Sequence, residues 1–221
     1  MSHTTDSPYV PALGYRWLTP AYDLVVGVTT RERTFKTSLA EQADLQPGHR
    51  VLDLACGTGT LAILLKQRFP DVDVTGIDGD PEVLAIASRK AARSRVTLRL
   101  DQGLSHALPY PDAHFDRVVS SLFFHHLSWP DKQRTAAELY RVLKPGGELH
   151  VADWGQATGP VSRAAFVAIQ LLDGFANTRD NVRGRLVELF SEAGFVEVGE
   201  RRSFTTVFGN MALHRAVRPA V

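Results

Sequence analysis

The chain has 221 residues, with 25 Lys and Arg against 24 Asp and Glu, a formal net charge of +1 and 44% hydrophobic residues. This ordinary globular composition excludes a disordered tail, and the near-neutral charge argues against a protein whose main task is neutralising nucleic-acid phosphates. Its single cysteine, Cys56, cannot form an internal disulfide, which excludes a disulfide scaffold and points to a reducing compartment.

The stretch MSHTTDSPYVPALGYRW is polar and interrupted by proline, so no targeting segment is expected there. Apolar runs such as Val118 to Phe124 are too short to cross a bilayer, which takes about 20 residues. A cytoplasmic protein without a membrane span is the expectation. Residues 15–45 read as helical, with apolar Leu24, Val25, Val28, Phe35, Leu39 and Ala40. From Val51 onward, short β-branched runs alternate with helix-like stretches. The order is strand 51–55, helix 61–68, strand 74–77, helix 81–93, strand 96–100 and strand 117–120. Helix 132–143, strand 148–152, helix 181–193 and strands 196–200 and 205–207 complete it. Such alternation implies right-handed βαβ crossovers and a mostly parallel sheet. The last two strands, joined around Arg201–Phe204 without a helix, should pair antiparallel at one edge. No linker is visible, so one domain over residues 1–221 is expected, a helical lid (1–45) on a core (46–221).

Punctuation agrees with this layout. Asp80-Pro81 puts a capping side chain before a proline at the first helical position. Lys144-Pro145-Gly146-Gly147 and Ala193-Gly194-Phe195 read as helix stops leading into strands.

The informative segment is Val51-Leu52-Asp53-Leu54-Ala55-Cys56-Gly57-Thr58-Gly59-Thr60-Leu61, a strand feeding a glycine loop that opens a helix. Gly57 and Gly59 allow positive φ and close backbone approach, and the helix start offers free N–H groups. In an open α/β sheet this junction lies beside the point where ligands bind. Three acids end successive strands: Asp53, Asp78 and Asp101. Asp78 follows Gly59 by 19 residues, near the ~20-residue spacing of a ribose-binding acid. Acids converging on one sheet edge suit a nucleoside-like ligand that carries positive charge, and S-adenosylmethionine meets that description.

The segments VLDLACGTGTL, VTGIDGDPEVL, DQGLSHALPYPDAHFDRVVSSLFFHHL and ELYRVLKPGGELHVADW resemble class I S-adenosylmethionine-dependent methyltransferases. The branch similar to the ubiquinone/menaquinone C-methyltransferases also shares the element Tyr22-Asp23-Leu24. The resemblance spans about residues 15–200. It implies a Rossmann-like, doubly wound seven-stranded α/β sheet with an antiparallel C-terminal hairpin. It further implies transfer of a methyl group from S-adenosyl-L-methionine to a small acceptor, which the apolar positions of 155–185 suggest is apolar or aromatic. By position, the resemblance sets Asp53, Ala55, Gly57 and Gly59 at the methionine part of the cofactor and Asp78 at the ribose. Asp101, with Gln102 and Gly103 beside it, matches the adenine contact. Ser121 and Leu122 face the amino acid end, and Tyr22 lies over the cofactor. Two positions depart from the pattern: Ala55 stands for a first glycine, and Gly79 for a bulky residue that packs on the adenine.

Gly57-x-Gly59-x-x-Ala62 also fits a dinucleotide fingerprint, and Tyr140-x-x-x-Lys144 mimics a dehydrogenase pair. A carboxylate at Asp53 repels a pyrophosphate, however, and suits an ammonium or sulfonium. The alternatives are therefore a cofactor-binding non-enzyme and, less favoured, an NAD(P)-dependent oxidoreductase. The basic run Arg89–Arg95 reads as a solvated helix end, and no nucleic-acid partner is expected. Adjacent His125 and His126 are expected to point apart, and no metal site is expected. On the acceptor side the candidates are His125, His126, Asp153 and Trp154, with Tyr15 and Trp17 in a lid. Ala165, Ala168, Ile169, Leu172 and Phe175 are expected to form an apolar wall. Oligomeric state is not legible.

Overall fold

Helix α1 (Glu32–Gln42) buries Phe35, Ser38, Leu39 and Ala40, the spacing that lays one stripe of a helix on a core. The computed structural model describes residues 32–155, 180, 184–206 and 209–220. Strands β1 (Arg50–Leu54), β2 (Asp73–Asp78), β3 (Arg99–Gln102), β4 (Phe115–Ser121) and β5 (Leu143–Trp154) pair in parallel. Strands β6 (Val196–Thr206) and β7 (Gly209–Val217) join antiparallel. The seven strands lie in the order β3-β2-β1-β4-β5-β7-β6. From β1 the chain steps outward through β2 to β3, then returns to β4 on the other side of β1. That reversal opens a crevice at the carboxyl ends of β1 and β4.

The connecting helices are α2 (Thr60–Arg68), α3 (Pro81–Arg93), α4 (Trp129–Val142) and α5 (Leu186–Glu192). Residues alternate across each strand, so every strand feeds two cores. Leu52, Leu54, Val118 and Val151 pack with Leu139, Val142 and Phe190 on the α4–α5 face. Val51, Val119 and Ala152 pack with Phe35, Leu39, Leu61 and Leu65 on the α1–α2 face. Asp53, between Leu52 and Leu54, therefore lies on the α1–α2 face.

Local chemistry sets the boundaries. Asp80 caps α3 by accepting a hydrogen bond from the Glu82 amide at 2.8 Å, ahead of Pro81 at the first turn. Ser128 caps α4 in the same way, accepting from the Asp131 amide. Gly194 ends α5 with φ of 97°, a left-handed stop that glycine adopts without Cβ strain.

The seven-stranded architecture and its antiparallel closure match expectation, but the closing pair is built differently. Residues 196–206 form one continuous strand rather than two strands joined at Arg201–Phe204. The partner is 209–217. Glu200-Arg201-Arg202-Ser203 reads as a loop because it is exposed; it is the solvated run of an edge strand, bent by irregularities near Val196/Gly199 and Glu200/Arg202. Asn210-Met211-Ala212-Leu213-His214 lacks β-branched residues, so its strand character comes from pairing with β5. Gly146-Gly147 lies inside β5, where the Gly146 amide donates to Arg218 and the Arg218 amide to Gly147. Of the helical region 15–45, residues 15–31 lie outside those described. Among the described residues no helix is long and apolar enough to cross a membrane.

Candidate active site

One hydrogen-bonded row crosses the carboxyl edge of the sheet: Asp101, Ile77, Leu54, Ser120 and Val151 are successive partners. The loop after β1 leaves this row through three left-handed residues, Ala55 (φ 54°), Gly57 (φ 52°) and Gly59 (φ 75°). Ala55 carries a Cβ in that region, at a cost of order 1–2 kcal/mol. At Gly59 a Cβ would stand 2.9 Å from that of Ala87, so α3 itself requires glycine there. Gly76 is bare for a related reason, since a Cβ would meet the Cys56 sulfur at 2.8 Å. Cys56 is thus a packing residue, and burial raises its thiol pKa.

Asp78 knits the crevice together. One carboxylate oxygen accepts from the Gly57 amide at 2.9 Å and the other from the Asp80 amide at 3.0 Å. The Gly103 amide donates to its carbonyl at 3.0 Å, and Gln102 donates to the Gly79 carbonyl at 3.3 Å. Gly57, Asp78, Gly79, Asp80, Gln102 and Gly103 therefore form one bonded rim. Asp101 accepts a hydrogen bond from the Tyr110 hydroxyl at 3.0 Å and pairs with Arg99 at 2.8 Å. Lys90 donates to the Thr58 and Thr60 hydroxyls at 2.9 and 2.8 Å, tying α3 to the glycine loop.

Asp53 is the chemically loaded residue. It is 1% exposed, and its Oδ2 has no hydrogen-bond partner. Burial pushes its carboxyl up to about 7, against the pull of Lys36 and a hydrogen bond from the Ala62 amide. A buried carboxylate oxygen without a donor is costly; a bound ammonium group would relieve that cost.

On the opposite face stands a second constellation. After Ser121 the chain turns through Leu122 (φ 57°), whose amide donates to the Ala152 carbonyl at 2.8 Å. A short 3₁₀ turn, Phe124–His126, follows. His125 Nδ1 lies 2.7 Å from Asp153 Oδ1, and the amides of His125 and Trp154 also donate to that carboxylate. These bonds hold the Asp153 carboxyl below its ordinary range despite complete burial. The two histidines do not point apart as expected: their ring centroids are 3.9 Å apart, because the tight 3₁₀ turn brings neighbouring side chains together. Burial and the adjacent His125 push His126 down to about 3, so its imidazole is neutral. Trp154 is 3% exposed and belongs to the α1-side core, with its ring edge-on to His125 at 6.4 Å. Among the described residues no group of three or more His, Cys, Asp and Glu could hold a metal ion.

Tyr140 packs against Phe195 and under Arg218, and Lys144 pairs with Asp116 at 2.6 Å, so the dehydrogenase-like pair is two unrelated contacts. Tyr15, Trp17, Tyr22 and the wall residues 165–175 lie outside the described residues. Lys36, Tyr110 and Lys132 have no distinguishing pattern in the sequence, and Lys90, expected in a solvated helix end, is instead bonded to Thr58 and Thr60. Lys132 is fully buried, 3.7 Å from Asp180, and feels the Asp153 charge. A lone lysine in a helix or tyrosine in a loop carries no signal of its own, because its partners come from other parts of the fold. A cleft of about 330 Å³ between α1 and the β6–β7 edge, lined by Ser38, Arg201 and Arg202 among others, contains none of Asp53, Asp78 and Asp101.

Residues 51–147 match the family described as a methyltransferase domain. A demethylmenaquinone methyltransferase from Symbiobacterium thermophilum is 32% identical over 201 residues, covering 78% of this chain and 77% of that protein. The chain belongs to the class I S-adenosylmethionine-dependent methyltransferases, in their menaquinone/ubiquinone-type branch. A second member, the demethylmenaquinone methyltransferase from Deinococcus radiodurans, is 36% identical over 151 residues. That match covers 67% of this chain and 62% of the relative, so the chain spans less than two thirds of its length. Among solved methyltransferases, one from Aquifex aeolicus shares the fold with a TM-score of 0.63 at 21% identity, covering 83% of this chain and 89% of that one.

Proposed function

We propose that this chain binds S-adenosyl-L-methionine across the carboxyl edge of its sheet and passes the methyl group to a small apolar or aromatic acceptor. The observation that carries the reading is the buried, partnerless Asp53 oxygen beside a glycine loop, with Asp78 and Asp101 at the carboxyl ends of the next two strands. These acceptors fit the cofactor: Asp53 faces a cation, Asp78 takes ribose hydroxyls with its remaining lone pairs, and Asp101 accepts from the adenine amino group. Ala55, Gly57 and Gly59 give the close backbone approach, with Gly79, Gln102, Gly103, Ser121 and Leu122 completing the rim. A dinucleotide is disfavoured, because its pyrophosphate would meet Asp53.

When bound, the sulfonium supplies an already activated methyl group. The protein therefore has to align the acceptor in line with the carbon–sulfur bond and keep water out. Asp153 fixes the His125 ring, and the neutral His126 imidazole accepts a hydrogen bond from an acidic group on the acceptor, orienting it. Trp154 backs His125 from the α1-side core. The N-terminal segment, with Tyr15, Trp17 and Tyr22, is assigned to a lid over this site in a single domain. The names of the relatives make a hydroquinone ring the first acceptor to try.

The test is incubation with cofactor labelled in the methyl group and a short-chain demethylated naphthoquinol, alongside isothermal titration with S-adenosylhomocysteine. Label in the organic product together with micromolar binding is expected. Heat from a nicotinamide dinucleotide and none from S-adenosylhomocysteine would overturn the reading.

A further inference from the structure

Asp53 answers only one charge of an amino acid end. Such a group is a zwitterion, and its carboxylate, a few ångströms from its ammonium, would be repelled by Asp53 and Asp78 unless a cation stood nearby.

Helix α1 carries that cation. Phe35 and Leu39 are buried in the same cluster as Val51, Leu61 and Ala62, which lays α1 over the face of β1 on which Asp53 lies. The far end of the helix is anchored on β4 and β5, at His150 level with Asp53 and at Arg117 two residues nearer the start of the strands. Gln42 bonds to His150, and the Arg117 guanidinium donates to the Ala43 carbonyl, which leaves the Glu32 end toward the carboxyl edge. One turn in from that end sits Lys36, its side chain only 11% exposed and paired with Glu32, itself 19% exposed. Helix pairs of this spacing usually stand in solvent, where they contribute a few tenths of a kcal/mol. Folding one into the protein costs desolvation. Lys36 is also the leading charge acting on the Asp53 carboxyl, so the two groups are electrostatic neighbours.

We propose that Lys36 holds the carboxylate of the bound amino acid end while Asp53 holds its ammonium, so that α1 and β1 form a clamp for a zwitterion. This rests on the cofactor reading above and deepens it. In the free protein Glu32 keeps the Lys36 ammonium in place. In the complex Lys36 has three donors, enough to serve Glu32 and the incoming carboxylate together. Selectivity follows: a nucleoside thioether without the amino acid end meets the adenine and ribose contacts and gains nothing from the clamp.

The test is isothermal titration of the full chain, Lys36→Met and Lys36→Arg with two ligands, S-adenosylhomocysteine and 5′-methylthioadenosine. The second lacks both the ammonium and the carboxylate and doubles as a folding control. Lys36→Met is expected to weaken S-adenosylhomocysteine by roughly 10- to 100-fold, the range for losing a hydrogen bond between charged groups. Methylthioadenosine binding should stay within about twofold, and Lys36→Arg should recover most of the loss. Unchanged S-adenosylhomocysteine affinity in Lys36→Met overturns the clamp, and so does an equal loss for both ligands, which marks a structural role. A wild-type chain that binds neither ligand overturns the cofactor reading itself.

Discussion

Asp53 places opposing demands on stability and on binding. Its carboxyl titrates at about 7 in the folded protein against 3.8 for an ordinary aspartate. The native state therefore keeps a proton that the unfolded chain releases, and stability falls as pH rises through that interval. Asp53→Asn removes the cost: thermal melts at pH 8 should rise by several degrees, about 1–3 kcal/mol, while S-adenosylhomocysteine binding is lost. In the wild type a cationic ligand needs the ionised carboxylate, so its affinity should fall up to tenfold per unit below pH 7, read by titration between pH 5 and 8. His126 lies on the opposite face of the sheet. His126→Ala is expected to cut kcat by about 10- to 100-fold, with the Kd for S-adenosylhomocysteine unchanged; a lower Tm with unaltered kcat would mark it as packing.

At the scale of elements, the site is a set of strand ends held by second residues from elsewhere in the chain. Tyr110, in the loop after β3, fixes the Asp101 carboxylate. Tyr110→Phe should raise the cofactor Kd by about fivefold, the worth of one hydrogen bond of ~1 kcal/mol, and leave kcat at saturation unchanged. The seam between β5 and β7 has its own charge cluster. Arg215 grips both oxygens of Glu148 at 2.7 Å, with His150 at 3.1 Å, and these groups hold the Glu148 carboxyl below its ordinary 4.5. A depressed carboxyl contributes stability above that value and loses it in acid. Glu148→Gln should therefore lower Tm at pH 7 by several degrees, with the gap to wild type narrowing in melts below pH 4.5. The acids at three strand ends, the glycine loop and the capped start of α3 were legible in the sequence, because each is marked by its immediate neighbours in the chain. Tyr110 and Lys36 were not, since their partners lie on other elements. Strand β7 was hidden for a similar reason: Met211-Ala212-Leu213 carries no β-branched residue, and its geometry comes from the β5 edge.

For the whole molecule, the sheet separates two chemistries. Asp53 and the glycine loop stand against α1 and α2, while His125 and Asp153 stand beyond the same strand ends with α4. A ligand bound as proposed would touch strands from both sides of the β1–β4 junction and brace the fold. S-adenosylhomocysteine at 100 times its Kd should stabilise the protein by about 2.7 kcal/mol, a rise of roughly 5–10 °C in Tm, with 5′-methylthioadenosine giving less at equal concentration. The order β5-β7-β6 has a consequence in time. During synthesis β6 leaves the ribosome first, yet its place lies beyond a strand that does not exist yet. Until residues 209–217 emerge, the backbone edge of β5 stays open, and the wrong strand is the nearer one. An open edge invites pairing with any passing chain, and contacts so distant in sequence form slowly. The nascent protein is thus most exposed to aggregation just before its sheet is finished.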